Sequence, residues 1–202
     1  MSTEECGTLD LISGPMFSSK TTTLLGRLFS QAEIGMSVLY INSSTDDRSG
    51  GNFSTHNPLY KDAPVHDKVT FLVVDNVFDI SMIARNYDVI GIDEGQFFDD
   101  LYDGVYWLVE KLHKHVIVAG LSGSFKREQI GQIDILKPLS DTDTKLTAWC
   151  LECAKTKKAT CAPFTHRISG DGPTKQSGGI DKYIPVCRRC YQKLNKGKEW
   201  LK

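Results

Sequence analysis

Short apolar runs alternate with segments of mixed character along the first 120 residues of the chain. The apolar runs are rich in Val, Ile and Leu and have the length of strands buried in a parallel sheet. The segments between them have the spacing of helices. Strands that alternate with helices predict an α/β fold in which helices flank a parallel sheet. The predicted strands cover residues 8–13, 38–41, 69–74, 89–92 and 116–119, and the predicted helices cover residues 21–34, 78–86 and 101–113.

The amino-acid composition of the chain changes near residue 147. Four cysteines in two C-x-x-C pairs follow this point, together with a stretch of Gly, Ser, Pro and Lys over residues 168–179 and a polar, Lys-rich end. We therefore expect an α/β domain over residues 1–146, a small cysteine-bearing domain over 147–192 and a polar tail over 193–202. A long polar segment over 46–58 exceeds an ordinary connection, which predicts that it is either functional or mobile.

The charges of the chain are nearly balanced, with 24 basic and 25 acidic residues and a net charge of -1. Such a chain has no global field that attracts nucleic acid or an anionic membrane, so an anionic ligand needs a local site. No apolar stretch approaches the ~20 residues of a membrane helix, and the first ten residues are polar and acidic, unlike a signal sequence. We expect a cytoplasmic protein with neither a membrane nor a nucleic acid as partner.

The segment between the first strand and the first helix fits the phosphate-loop pattern G-x-x-x-x-G-K-[S/T] except at its second glycine, where Ser19 stands. In this pattern backbone N–H groups at a helix N-terminus wrap a phosphate. Lys20 reaches the terminal phosphates, and the Thr21 hydroxyl faces Mg²⁺. A capped helix start with a solvated lysine is the alternative. The predicted nucleotide-binding residues of the loop are Gly14, Pro15, Met16, Phe17, Ser18, Ser19, Lys20 and Thr21.

Two acidic residues, Asp93 and Glu94, directly follow the predicted strand 89–92. Ligands of open parallel sheets bind beyond the carboxyl ends of the strands, so Asp93 is expected at the same edge as the phosphate loop. An acidic residue there completes a Mg²⁺–nucleotide site, and Glu94 is placed to take a proton from an acceptor hydroxyl. An acidic helix or turn start is the alternative for Asp93 alone.

Cys150, Cys153, Cys187 and Cys190 form two C-x-x-C pairs separated by 33 residues. Four thiolates suit a closed, tetrahedral Zn²⁺ site, so we predict a structural zinc ion held by these residues. Two pairs of reduced surface cysteines are the alternative. Basic residues flank the cysteines, which leaves a zinc-ribbon nucleic-acid-binding protein with a vestigial nucleotide fold as a competing function.

Six motifs follow one another in order along the chain. They are G-P-M-F-S-S-K-T (14–21), D-D-R (46–48) followed by T-H (55–56), I-D-E-G-Q-F-F (92–98), G-L-S-G-S-F-K-R (120–127), K-L-T-A-W-C-L-E-C (145–153) and G-G-I-D-K-Y-x-x-V-C-R-x-C (178–190). With these motifs the chain resembles the cytosolic-type thymidine kinases, a family whose small P-loop domain carries a zinc-bearing lasso. The resemblance spans nearly the whole chain, and six ordered motifs are far more specific than any one of them.

The resemblance implies an ATP-dependent transfer of phosphate, with Mg²⁺, to the 5′-hydroxyl of thymidine or deoxyuridine in pyrimidine salvage. It implies that Glu94 is the general base and that Thr21 and Asp93 organise Mg²⁺. It also implies that Arg48 lies near the donor phosphates. The implied nucleoside-binding residues are Met16, Phe97, Leu121, Phe125, Thr165, Gly178, Gly179 and Tyr183.

The resemblance further assigns residues from about 167 to 183 to a lasso that covers the nucleoside, with zinc clamping both of its ends. The family is commonly tetrameric and subject to end-product feedback, which implies a homotetramer inhibited by thymidine triphosphate.

Three positions depart from the family pattern. Ser19 replaces a glycine of the phosphate loop, Ser122 stands where the family usually has Asp, and Ile130 replaces an aromatic residue. These departures leave a weakened or inactive kinase homologue as an alternative. An ATPase switch that binds a protein partner is a further alternative, because Glu94 beside Asp93 can also activate water.

Overall fold

A six-stranded sheet forms the centre of the computed structural model, which describes residues 6–46, 67–168, 170, 173–175 and 178–201. Every neighbouring pair of its strands is parallel, so the predicted α/β fold with a parallel sheet is confirmed. The order across the sheet is β3-β2-β4-β5-β1-β6. The strands are β1 (Thr8–Gly14), β2 (Val38–Ser43), β3 (Val69–Val74), β4 (Val89–Ile92), β5 (His115–Leu121) and β6 (Thr142–Lys145).

Helices pack on both faces of this sheet. Helix α1 (Lys20–Glu33) buries an apolar stripe against one face, and Gly91 of β4 lets it approach closely, because a Cβ there would lie 2.4 Å from the Leu28 side chain. Helix α2 (Leu101–Tyr106) continues as a π-helical turn over Trp107–Lys111 and packs on the other face. The sheet therefore has an apolar cluster on each side, as its Val- and Ile-rich strands predict.

The prediction of one helix over residues 78–86 is wrong. The structure has two short 3₁₀ helices there, Val77–Ile80 and Ala84–Asn86. The Asp100 carboxylate accepts hydrogen bonds from the backbone N–H groups of Val77 (2.9 Å) and Phe78 (3.0 Å). These bonds satisfy the N–H groups at the start of the first 3₁₀ helix from a residue more than 20 positions along the chain, which a periodicity argument does not detect.

Strand β6 has no counterpart among the predicted strands. Its sequence, T-D-T-K, is polar, and it lies at the edge of the sheet beside β1. Edge strands carry polar and charged side chains because one of their sides is open to solvent. The apolar pattern that marks the buried strands is therefore missing from this one.

The residues after β6 form a small module with its own apolar cluster. In it β7 (Ala148–Trp149) pairs antiparallel with β8 (Cys161–Ala162), and β9 (Phe164–Arg167) pairs antiparallel with β10 (Tyr183–Val186). Two short helices, α3 (Leu151–Ala154) and α4 (Arg188–Leu194), begin directly after cysteines. In the described ranges, no helix has the length and apolar character needed to cross a bilayer.

Candidate active site

The predicted phosphate loop connects the end of β1 to the start of α1. Gly14 is the last residue of the strand, and a Cβ there would lie 2.5 Å from the Ser18 hydroxyl and 2.9 Å from the Leu146 carbonyl oxygen. The buried Lys20 begins the helix, and its ammonium group donates to the Pro15 carbonyl (2.9 Å). The lysine head is thereby held over the loop, where a phosphate bound at the helix N-terminus would meet it.

Two non-glycine residues of the loop adopt the left-handed conformation, Phe17 with φ 63° and Ser19 with φ 63°. Ser19 stands at the position where the phosphate-loop pattern has its second glycine. An L-residue in this conformation costs about 1–2 kcal/mol, which explains why the pattern prefers glycine. The chain thus keeps the loop geometry in spite of the substitution.

Asp93 lies at the carboxyl end of β4 and is 1% exposed. Its carboxylate accepts from the Tyr40 hydroxyl (2.9 Å) and from the Glu94 backbone N–H (2.9 Å), and it is hydrogen-bonded by the Thr21 side chain. Burial, followed by repulsion from Glu94, raises the pKa of Asp93 to about 6 in spite of these donors. Thr21 and Asp93, the two predicted Mg²⁺ ligands, are therefore in contact.

Glu94 is buried and adopts a left-handed backbone conformation, with φ 50° and ψ 39°. Its carboxylate accepts from the Gln96 side-chain amide, while the Gln96 oxygen accepts from the Leu121 backbone N–H (2.9 Å). Because a backbone N–H can only donate, the Gln96 oxygen must face Leu121 and the NH₂ group must face Glu94. This arrangement holds the Glu94 carboxylate in one orientation through Gln96.

A cavity lies between the phosphate loop, the Glu94 segment and the small module. Its wall includes all the residues predicted to bind the nucleoside except the two glycines. Thr174 of the predicted lasso also lines it. Gly178 and Gly179 do not line it but support Tyr183, whose N–H donates to the Gly179 carbonyl (3.0 Å). The six lining side chains are Met16, Phe97, Leu121, Phe125, Thr165 and Tyr183.

Met16 belongs to both the loop and the cavity. Its N–H donates to the Thr165 hydroxyl (3.0 Å) across the interface between the loop and the small module, and its side chain lines the cavity. Arg167 lies over the rings of Phe125 (5.2 Å) and Tyr183 (5.7 Å), and it donates to the Pro173 carbonyl (3.0 Å). The phosphate loop and the aromatic cavity are thus parts of one continuous site.

The four predicted zinc ligands converge in the small module. Their sulfur atoms all lie within 4.8 Å of one another, and Cys153 Sγ is 3.8 Å from Cys187 Sγ and 3.7 Å from Cys190 Sγ. Thiolates bound tetrahedrally at ~2.3 Å from one zinc ion are about 3.8 Å apart, so these residues fit the metal. Burial, followed by the hydrogen bonds and charge of the neighbouring thiols, raises the pKa of Cys190 to about 12. A cation among the four sulfur atoms would offset that cost of ionisation.

Sequence reasoning missed three buried side chains around the acidic pair, namely Tyr40, Gln96 and Asp46. Gln96 stands within the quoted I-D-E-G-Q-F-F motif, but no periodicity shows that it bridges Glu94 and Leu121. Asp46 accepts from the Asn42 amide (3.2 Å) at the carboxyl end of β2. An acidic residue after a buried strand is the signal that identified Asp93, and it could also have identified Asp46.

The remaining predicted positions are placed as follows. Arg48 lies outside the described residues. Ile130 is buried and lines the cavity, so the departure from an aromatic residue changes the wall of the site. The Ser122 N–H donates to the Gly14 carbonyl (3.1 Å), which ties the end of β5 to the phosphate loop.

A phosphate loop between a strand and a helix, with an acidic pair at the same sheet edge, defines the fold as that of the P-loop proteins. A family model described as thymidine kinase matches residues 7–191. The chain is 38% identical to a thymidine kinase of Yaba monkey tumor virus over 190 residues, which cover 94% of this chain and 97% of the relative.

Plant and mammalian relatives give the same result. Thymidine kinase a of Arabidopsis thaliana is 38% identical over 187 residues, covering 92% of this chain and 75% of the relative. A cytosolic thymidine kinase of Cricetulus griseus is 37% identical over 187 residues, which cover 93% of this chain and 74% of the relative. The chain belongs to the thymidine kinase family. These matches do not favour the competing interpretation as a nucleic-acid-binding zinc ribbon.

Proposed function

We propose that this protein transfers the γ-phosphate of ATP to the 5′-hydroxyl of thymidine or deoxyuridine. One observation carries the proposal beyond family membership: the phosphate loop and the aromatic cavity meet at Met16, and Gln96 links the Glu94 carboxylate to Leu121 of the cavity wall. A donor phosphate at the loop and a nucleoside in the cavity would place the acceptor hydroxyl between them. That juxtaposition is what a direct transfer requires.

The phosphate end of the site would bind the donor. Lys20 and the backbone N–H groups of the loop would hold the terminal phosphates, with Arg48 as a further cation near the donor. Thr21 and Asp93 would hold Mg²⁺, since their contact places a hydroxyl and a carboxylate together at the loop. When bound there, Mg²⁺ neutralises negative charge on the transferring phosphate.

Glu94 would act as the general base. Its carboxylate takes the proton of the 5′-hydroxyl while that oxygen bonds to the γ-phosphorus, and the bond from phosphorus to the β–γ bridging oxygen breaks to release ADP. The Gln96 amide, which donates to this carboxylate, would hold it in place for the transfer.

The small module would cover the nucleoside. Phe97, Phe125 and Tyr183 would pack on the base and sugar, and the lasso would close over them from residue 167 to 183. A structural Zn²⁺ on the four cysteines would hold the two ends of this polar segment, which has little apolar surface of its own. We accordingly propose the domain limits 1–146, 147–192 and 193–202.

We further propose that the protein acts in the cytoplasm, as the name of the mammalian relative indicates for that protein. A homotetramer inhibited by thymidine triphosphate is proposed on the family resemblance alone.

A thermal-shift screen of deoxyuridine, the four deoxynucleosides of DNA and their triphosphates tests the proposed specificity. A ligand of the native state raises the melting temperature according to RT ln(1 + [L]/Kd). We expect thymidine and deoxyuridine to stabilise the protein more than deoxyadenosine or deoxyguanosine at equal concentration. Equal stabilisation by all of these nucleosides, or by none, would contradict the proposal.

A further inference from the structure

The last described residues of the chain connect the nucleoside cavity to the cysteine-bearing module. Trp200 packs against the apolar cluster that lines the cavity, whereas the next residue, Leu201, packs against the cluster around the cysteines. Both residues lie beyond residue 191, where the match to the family model ends. The sequence predicts only a polar tail here, so this contact is a property of this chain that the family match does not cover.

The contact between Trp200 and Phe125 has the geometry of a stabilising aromatic pair. The ring centroids are 5.8 Å apart and the ring planes make an angle of 87°, so the edge of one ring meets the face of the other. The Lys126 ammonium lies 5.4 Å from the Trp200 ring centroid and 5.9 Å from that of Phe125. Trp200 is not part of the cavity wall itself, so any effect on a nucleoside would pass through Phe125.

Tyr191 holds the backbone of Phe125. This tyrosine is fully buried in the cysteine cluster, one position after Cys190, and its hydroxyl donates to the Phe125 carbonyl (2.6 Å). The buried Trp200 indole N–H faces the Tyr191 hydroxyl without reaching good hydrogen-bond geometry to any described residue. Phe125 is therefore held through its ring by Trp200 and through its carbonyl by Tyr191, and both belong to the C-terminal part of the chain.

We propose that Trp200 is a positioning residue for the nucleoside: together with Tyr191, it fixes Phe125 in the orientation that packs on the base or sugar. The inference rests on the proposed function, because it takes the cavity as the nucleoside site. It assigns a role in substrate affinity to the C-terminal segment, in addition to the closure of the lasso.

Calorimetric measurement of thymidine binding to Trp200→Ala tests the inference without relying on turnover. We expect the Kd for thymidine to rise about three- to tenfold, the scale of one aromatic pair, while the Kd for ATP and the zinc content stay unchanged. Trp200→Phe should restore most of the affinity. The matched control is Trp149→Ala, since Trp149 is 64% exposed on the surface of the module and should leave the Kd unchanged.

Tyr191→Phe removes the second support and should raise the same Kd. Its effect and that of Trp200→Ala should not multiply in the double variant, because both act through Phe125. An unchanged Kd for thymidine in Trp200→Ala, or an equal rise in the Kd for thymidine and the Kd for ATP, would overturn the inference. If the wild-type protein itself did not bind thymidine, the proposed function would fail as well.

Discussion

The two ends of the proposed site are built by different means. Among the residues that the structure describes, the two faces of the sheet at the phosphate end bury 29 apolar residues, whereas the cluster of the cysteine-bearing module contains seven buried residues, three of them cysteines. The sheet positions Lys20 and Asp93 through strand ends and backbone hydrogen bonds. The module has few buried apolar residues in its own cluster, so we expect the proposed zinc ion to supply much of its stability. We expect the two ends to respond differently to the same perturbation.

Loss of the metal should separate the two ends of the site most clearly, because only the cysteine-bearing module is expected to depend on it. Cys153→Ser removes one of the four ligands, so we expect the module to lose its zinc and its order, and thymidine turnover to fall below detection. ATP binding and the circular dichroism of the sheet should persist. Zinc content, turnover and hydrogen exchange are the measurements. The exposed Cys161, which lies outside the cluster, provides the control Cys161→Ser. Wild-type turnover in a zinc-free Cys153→Ser protein would contradict the account.

Removal of the proposed base should affect the rate and leave the fold intact. Glu94→Gln keeps the shape of the side chain, so we expect kcat to fall by about 10²–10⁴, the usual scale of general acid–base catalysis, with little change in the melting temperature. Steady-state kinetics and thermal unfolding measure the two quantities. The control is Glu110→Gln, which changes an exposed glutamate in the π-helical turn after α2 and should leave kcat unchanged. A kcat within about threefold of wild type in Glu94→Gln would exclude this role.

The phosphate end should also show a pH signature in Mg²⁺-free buffer. The folded-state pKa of Asp93 is about 6, above the ordinary value of 3.8. Between these values the folded protein binds more protons than the unfolded chain, so this residue makes the free energy of unfolding fall as the pH rises from about 4 to 6. The effect is on the order of 1–3 kcal/mol. In Asp93→Asn this contribution to the pH dependence of the free energy of unfolding should vanish. The same pH dependence in the wild type and the variant would contradict the prediction.

The smallest expected effect concerns the left-handed Ser19. Ser19→Gly relieves backbone strain, so we expect a gain of about 1 kcal/mol in the free energy of unfolding and a slightly lower KM for ATP. Ser19→Ala keeps the Cβ and should give no such gain. Chemical denaturation compares the two variants. Equal stabilisation by both would show that the hydroxyl, and not the backbone conformation, sets the cost at this position.

The sequence predicted the phosphate end better than the module. Strands β3 and β4 have the predicted limits, because buried apolar runs leave a strong pattern, and the acidic pair follows β4 as expected. The four cysteines were identified by spacing alone. The bond of Gln96 to Leu121 and the packing of Trp200 on Phe125 were not predictable, because each joins residues distant in the chain. The polar edge strand β6 was missed for the same reason, since only its pairing with β1 defines it.

The fate of the γ-phosphate of ATP tests the central claim most directly. With labelled ATP, Mg²⁺ and thymidine, the account predicts that the label appears in thymidine monophosphate, with one ADP formed for each labelled product. Label released as inorganic phosphate at the same rate with and without thymidine would instead identify an ATPase and contradict the account.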